Sequence, residues 1–153
     1  MVTARRTTTS DATPKLDAQL CFALYAAGLA MNKVYRSKLK PLDITYPQYL
    51  VMMVLWEDES LSVSEIGARL FLDSATLTPL LKRLEGGGLV TRLRSRDDER
   101  HVVITLTARG KALKAKAGKV QESVFCATQC TPAELKHLKD ELHHLRSRLS
   151  NDD

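Results

Sequence analysis

The sequence predicts a mainly α-helical chain with a small β-hairpin, on three observations. Apolar residues recur at spacings of three and four through most of the chain, two short stretches alternate instead, and Gly and Pro are scarce. Hydrophobic residues make up 44% of the 153 residues and aromatics only 5%, which suits a helical core better than a β-sandwich. The length fits one compact domain, or one domain with a dimerisation extension.

Taken in order, residues 1–15 read as a flexible N-terminal arm, without the apolar run of a signal peptide or membrane anchor. Leu16, Leu20, Leu24, Ala27, Met31 and Val34 form the stripe of a helix from Leu16 to Leu39, which Pro41 ends. Thr45 and Gln48 form a capping box, opening a second helix to about Trp56. Glu57, Asp58 and Glu59 read as a loop, and Ser62 with Glu65 is a second box for a short helix to about Leu70. Asp73 or Ser74 caps a fourth helix with Leu77, Leu80, Leu81 and Leu84 on its apolar face. Gly86, Gly87 and Gly88 stop it, since glycine tolerates left-handed backbone beyond a helix end.

The period then changes. Leu89 to Arg94 and His101 to Leu106 alternate, giving two strands around a charged tip from Ser95 to Arg100. A fifth helix from about Ala108 to Gln129 carries Leu113, Ala117, Val120 and Val124. Thr131 and Glu134 form a third capping box, with Pro132 at the first helical position. The last helix carries Leu135, Leu138, Leu142, Leu145 and Leu149, a coiled-coil seam only two heptads long and too short to hold partners alone. Long helices at both ends, 16–56 and 107–149, are therefore expected to pack together and against a second copy, flanking a DNA-reading part at 57–106.

A short helix, a tight connection, a longer helix and a β-hairpin make a winged helix-turn-helix, whose second helix enters the major groove of DNA. The formal net charge of +5 points the same way, toward a phosphate-rich partner. On the fourth helix Ser74, Ala75, Thr76, Thr78, Pro79, Lys82 and Arg83 are the expected exposed positions. Hydroxyls near the helix start suit bases or phosphates, and Lys82 and Arg83 suit phosphates. Pro79 deletes a helix hydrogen bond and predicts a local kink or widened first turn. Arg92, Arg94, Arg96 and Arg100 surround Asp97, Asp98 and Glu99, a minor-groove probe whose acids would orient the arginines. The plainer accounts are a solvated helix face and a solvated charged turn.

The run from Asp98 through Thr107 resembles the wing signature of MarR-family regulators, and Leu70 through Glu85 resembles their recognition helix. The likeness covers nearly everything after residue 15. It implies a symmetric homodimer that places two recognition helices in successive major grooves of a pseudo-palindromic double-stranded operator, with Arg100 entering the minor groove.

The chain has three cysteines, Cys21, Cys126 and Cys130, too few for a disulfide framework. No apolar run approaches the roughly 20 residues that span a bilayer, so no membrane partner is expected. A reducing cytoplasm is the expected location. Cys21 sits one turn inside the first expected helix, where an inert packed thiol and a reactive one are both compatible with the pattern. All four tyrosines, Tyr25, Tyr35, Tyr46 and Tyr49, fall in the first two expected helices. Tyr25 shares the face of Cys21 one turn on, whereas Tyr35 lies about 21 Å along the same helix and can reach only a partner's cysteine.

These positions are similar to those of the organic-hydroperoxide-sensing, OhrR-type branch of the family, and Thr45 to Leu50 matches closely. The resemblance implies that Cys21 is redox-sensing and that Tyr35 and Tyr46 of the other subunit hydrogen-bond its thiolate, with Tyr25 a further candidate. Cys126 with Cys130 resembles the two-cysteine type. The implied sequence is oxidation by organic hydroperoxide, an intersubunit disulfide from Cys21 to Cys126 (Cys130 as the alternate) and release of DNA. No catalytic residue, metal or cofactor is expected. Three rivals stand beside this reading: a MarR-type repressor released by a small phenolic ligand, a thiol peroxidase, and a zinc sensor using Cys126, Cys130 and nearby histidines.

Overall fold

The computed structural model describes residues 13–151, so most of the expected N-terminal arm lies outside the described residues. The chain divides into two compact units, one ending at Lys33 and the other beginning at Val34. The elements are α1 (Leu20–Leu39), α2 (Tyr46–Glu57), β1 (Ser60–Ser62), α3 (Val63–Leu70), α4 (Ser74–Gly86), β2 (Val90–Arg94), β3 (Val102–Leu106), α5 (Ala108–Thr128) and α6 (Pro132–Leu149). The mainly helical architecture with a small wing is as expected.

Local chemistry sets the boundaries. All three expected capping boxes form: Thr45 with Gln48, Ser62 with Glu65, and Thr131 with Glu134 each exchange both hydrogen bonds. Each satisfies two otherwise orphaned amides at a helix start. Pro41 lies in a one-turn 3-10 helix, Lys40–Leu42, that ends α1, and Asp43 follows in the left-handed region at φ 54°.

The structure departs from expectation at the first helix and in the sheet, while the glycine triplet ends α4 as expected. The first helix does not begin at Leu16: Leu16–Ala18 is a single 3-10 turn, and extended backbone at Gln19 separates it from α1. Cys21 is therefore the second residue of α1, in its first turn. A strand, β1, was not anticipated; it pairs antiparallel with β3, Leu61 opposite Ile104, giving a three-stranded sheet of order β1-β3-β2. Of the glycine triplet only Gly88 takes positive φ, at 71°, while Gly86 is still helical. α4 continues as one helix through Pro79.

The core of the second unit gathers Leu39, Val51, Met52, Leu55, Ile66, Leu77, Leu81, Leu84, Val90 and Ile104, all nearly inaccessible to solvent. α5 docks on it by one close approach. The Trp56 indole N–H donates to the Gly110 carbonyl at 2.9 Å, and the Lys114 ammonium donates to the Trp56 carbonyl at 3.1 Å. A Cβ at Gly110 would stand 2.1 Å from the Leu89 carbonyl oxygen, so only glycine lets α5 sit this near the start of β2. The acidic residues after α2 are ion-paired, Asp58 with Arg69 at 3.1 Å and Glu59 with Lys111 at 2.7 Å, although exposed pairs contribute little to stability.

Gly110→Ala should lower unfolding stability by about 1–3 kcal/mol, the usual cost of forcing atoms into a packed site. Gly118→Ala in the same helix, where a Cβ meets nothing within 4 Å, should raise it by roughly 0.5–1 kcal/mol. Urea midpoints of the two variants check this; equal effects would contradict the close approach.

Candidate nucleic-acid interface and thiol sites

α3 and α4 form the helix-turn-helix. The turn between them is tight because the Leu72 amide donates to the Gly67 carbonyl at 3.0 Å, and a Cβ at Gly67 would meet the Leu72 oxygen at 2.7 Å. Phe71 occupies that turn in the left-handed region at φ 56°. The Asp73 carboxylate then caps α4 by accepting from the Thr76 amide at 2.7 Å. That bond holds its pKa below the ordinary aspartate value.

The expected recognition positions are presented to solvent. Ser74, Ala75, Thr76, Pro79, Lys82 and Arg83 are exposed, and Thr78 is half-buried. Thr78 spends its hydroxyl proton on the Ser74 carbonyl at 2.7 Å, beside the position where Pro79 lacks an amide. Hence Ser74 and Thr76, in the first turn, are the hydroxyls best placed to meet a ligand.

The wing is built differently from expectation at its base. At its tip Asp98 organises the turn, accepting from the Arg100 amide at 3.0 Å and lying 3.5 Å from His101 Nε2 and 3.9 Å from Arg100 Nε. The Arg100 side chain is 93% exposed. Arg94 and Arg96 are exposed as well. Arg92 is not part of that tip cluster. It points to the inner face of the sheet, and its guanidinium lies 3.7 Å from Glu85 in the last turn of α4. The physical reason is the strand period: Arg92 shares a face with buried Val90 and sits opposite buried Ile104. Glu85 and His101 were not anticipated; reading the parity of β2 from Val90 would have pointed Arg92 inward.

Three of the four tyrosines named from the sequence converge in the second unit. Tyr35 of α1 stacks on Tyr46 of α2 with ring centroids 4.2 Å apart and planes at 29°. Tyr49 joins them at 5.8 Å from Tyr35, and its other side meets Trp56 edge-on at 6.0 Å. Burial, and then the neighbouring phenols, push the Tyr35 pKa up to about 12. Burial raises Tyr46 too. The rings therefore stay protonated and remain hydrogen-bond donors throughout the neutral range. Tyr25 belongs to the first unit with Cys21, one helical turn away, and is exposed.

All three thiols are free. Cys21 is exposed in the first turn of α1. Cys126 is exposed in the last turn of α5. Cys130 is partly covered, and its thiol donates to the Thr128 carbonyl at 3.4 Å beyond a left-handed Gln129. Among the described residues no three His, Cys, Asp or Glu side chains gather as metal ligands, and no helix is long and apolar enough to cross a membrane.

Folding raises the Tyr35 pKa, so the folded state holds that proton more tightly. The associated stability is complete below the ordinary value of 10.0 and is lost as pH rises toward about 12. Tyrosinate absorbance of the folded protein should show a late step missing in Tyr35→Phe. A single step for all tyrosines near 10.0 would contradict the buried stack.

A family pattern described as transcriptional regulator SarA/Rot matches residues 33–117. The chain is 54% identical to the HTH-type transcriptional regulator TtmR of Methylorubrum extorquens, covering 91% of this chain and 71% of that protein. It is 48% identical to the organic hydroperoxide resistance transcriptional regulator of Bacillus subtilis, over 88% of this chain and 92% of the relative. The structure of reduced AbfR bound to DNA superimposes with a TM-score of 0.73 at 39% identity, covering 88% of this chain and 94% of AbfR. Disulfide-formed AbfR gives 0.59 at 43% identity, with coverages of 85% and 91%; AbfR is a protein of Staphylococcus epidermidis. With its helix-turn-helix, its wing and these relatives together, the chain belongs to the SarA/Rot group of MarR-like winged-helix transcriptional regulators.

Proposed function

We propose that the chain is a homodimeric, redox-sensing repressor that holds a pseudo-palindromic operator when reduced and releases it when organic hydroperoxide oxidises Cys21. The observation that carries this reading is the stacked Tyr35–Tyr46 pair, two phenols kept as donors by burial. A thiol served by two such donors is favoured as thiolate, the form that attacks peroxide.

What the helices leave uncovered supports a dimer. No residue of α6 is buried, and Leu138, Leu142 and Leu149 of its seam are 53%, 38% and 64% exposed. A leucine row of this kind is a face for a second copy. In that dimer Tyr35 and Tyr46 of one subunit serve Cys21 of the other.

DNA is read by two elements. Ser74 and Thr76 at the start of α4 approach base edges, with Thr78 and Pro79 shaping that turn. Lys82 and Arg83 hold phosphates, and Arg94, Arg96 and Arg100 carry the wing to the minor groove with Asp98 setting the tip. Arg92 supports the wing from below.

The chemistry balances in two steps. The Cys21 thiolate attacks the terminal peroxide oxygen; the O–O bond breaks, giving sulfenic acid and an alkoxide that takes a proton from solvent to leave as the alcohol. The Cys126 thiol of the partner subunit then displaces water from that sulfur, giving the disulfide. Cys126 is favoured as resolver because it is exposed, while the Cys130 thiol is engaged with Thr128.

Cumene hydroperoxide should convert the wild-type protein to a covalent dimer on a non-reducing gel. Cys21→Ser and Cys126→Ser should abolish that band, and Cys130→Ser should keep it. A band that survives Cys126→Ser and vanishes in Cys130→Ser would reassign the resolver. No band in the wild type would defeat the disulfide.

A further inference from the structure

A wing and a recognition helix that read one duplex must keep a fixed mutual angle, because the grooves they enter have a fixed geometry. The chain joining them is the exposed turn of Gly86, Gly87 and Gly88, which has no side chains of its own and is held from α5 through the Gly87 and Gly88 carbonyls. A side-chain bridge spans the same junction. The Arg92 guanidinium of β2 lies 3.7 Å from the Glu85 carboxylate of α4, with the two side chains 23% and 44% exposed. Arg92 Nε is buried without a hydrogen-bond partner among the described residues. The strand register sets the guanidinium on the core side, opposite Ile104, so it is withheld from the outer surface.

We infer that Arg92 is a positioning residue which, through Glu85, fixes the wing against the recognition helix rather than touching DNA itself. The inference rests on the DNA-reading function proposed above. It separates cleanly from direct contact, because a phosphate-bound arginine contributes to the salt dependence of binding and a strut does not. It also makes an electrostatically contrary claim: removing the negative charge of Glu85 beside DNA should weaken binding.

The test is anisotropy of a labelled duplex from the promoter region beside the protein's own gene, titrated with reduced protein over a range of salt. Glu85→Gln and Arg92→Gln should each weaken binding by roughly two- to fivefold, the scale of a half-exposed ion pair. The double variant should weaken it no further than either single change. Both should keep the wild-type salt slope, whereas Arg100→Ala should flatten it by about one. Arg92→Lys, which keeps the charge, should recover most of the loss. Hydroxyl-radical footprints of Glu85→Gln should lose protection at the wing and keep it at the recognition helix. A general loss of fold would reduce both and would show as a lower melting temperature.

Glu85→Gln binding as tightly as wild type, or more tightly, overturns the inference. So does a flattened salt slope in Arg92→Gln. Failure of the wild-type protein itself to bind the duplex would overturn the DNA-reading function, and the inference with it.

Discussion

The hydrogen bond from the Trp56 indole to the Gly110 carbonyl, and the close approach it permits, is the contact on which the second unit's architecture depends. It joins α2 to the base of α5 and sets both against the first residues of β2. The neighbouring cap tightens the same junction. The Thr107 hydroxyl accepts from the Gly110 amide at 3.0 Å and donates to the Gly88 carbonyl at 2.7 Å. The Arg109 guanidinium donates to the Gly87 carbonyl at 3.0 Å. The base of α5 therefore grips the glycine turn that links the recognition helix to the wing. The far end of α5 carries Cys126, with Cys130 just beyond it. In the proposed mechanism, a disulfide at that end would pull on the turn which orients the DNA-reading elements, because packed helices move as rigid bodies.

The energetics asked of such a device are modest. A hundredfold loss of operator affinity corresponds to about 2.7 kcal/mol, which is what the proposed disulfide would have to supply by disfavouring the DNA-bound arrangement. The phenol stack belongs to the first step of the proposed mechanism. Stacking and burial disfavour tyrosinate, so Tyr35 and Tyr46 enter any thiol site as donors, the role a thiolate requires.

Much of this was legible from residue order. Thr45, Ser62 and Thr131 announced three helix starts because a capping box is a local bargain between four neighbouring residues, independent of the rest of the fold. Leu135 to Leu149 announced an unpartnered seam, and the period change after Gly88 announced the hairpin. What stayed hidden was non-local. Ser60–Ser62 is too short to show an alternation and becomes a strand only by pairing with β3. The glycine at 110 looks like an ordinary helix residue until the Leu89 carbonyl is set against it. Arg92 was grouped with the tip arginines on charge, while its strand parity and Glu85, seven residues earlier, decide where it points. Tyr35 and Tyr46 were named together as candidate thiol donors, but that their rings stack, with Tyr49 beside them, appears only once α1 and α2 are set side by side.

The central claim is that the redox state of one thiol sets operator affinity, and it is met most directly by measuring duplex affinity three times on one sample. Reduced protein should bind the promoter duplex tightly. The same protein after organic hydroperoxide should release it, and dithiothreitol should restore binding, while Cys21→Ser should bind tightly in all three conditions. Affinity that ignores the peroxide, or a Cys21→Ser protein that still releases DNA on treatment, would contradict the account.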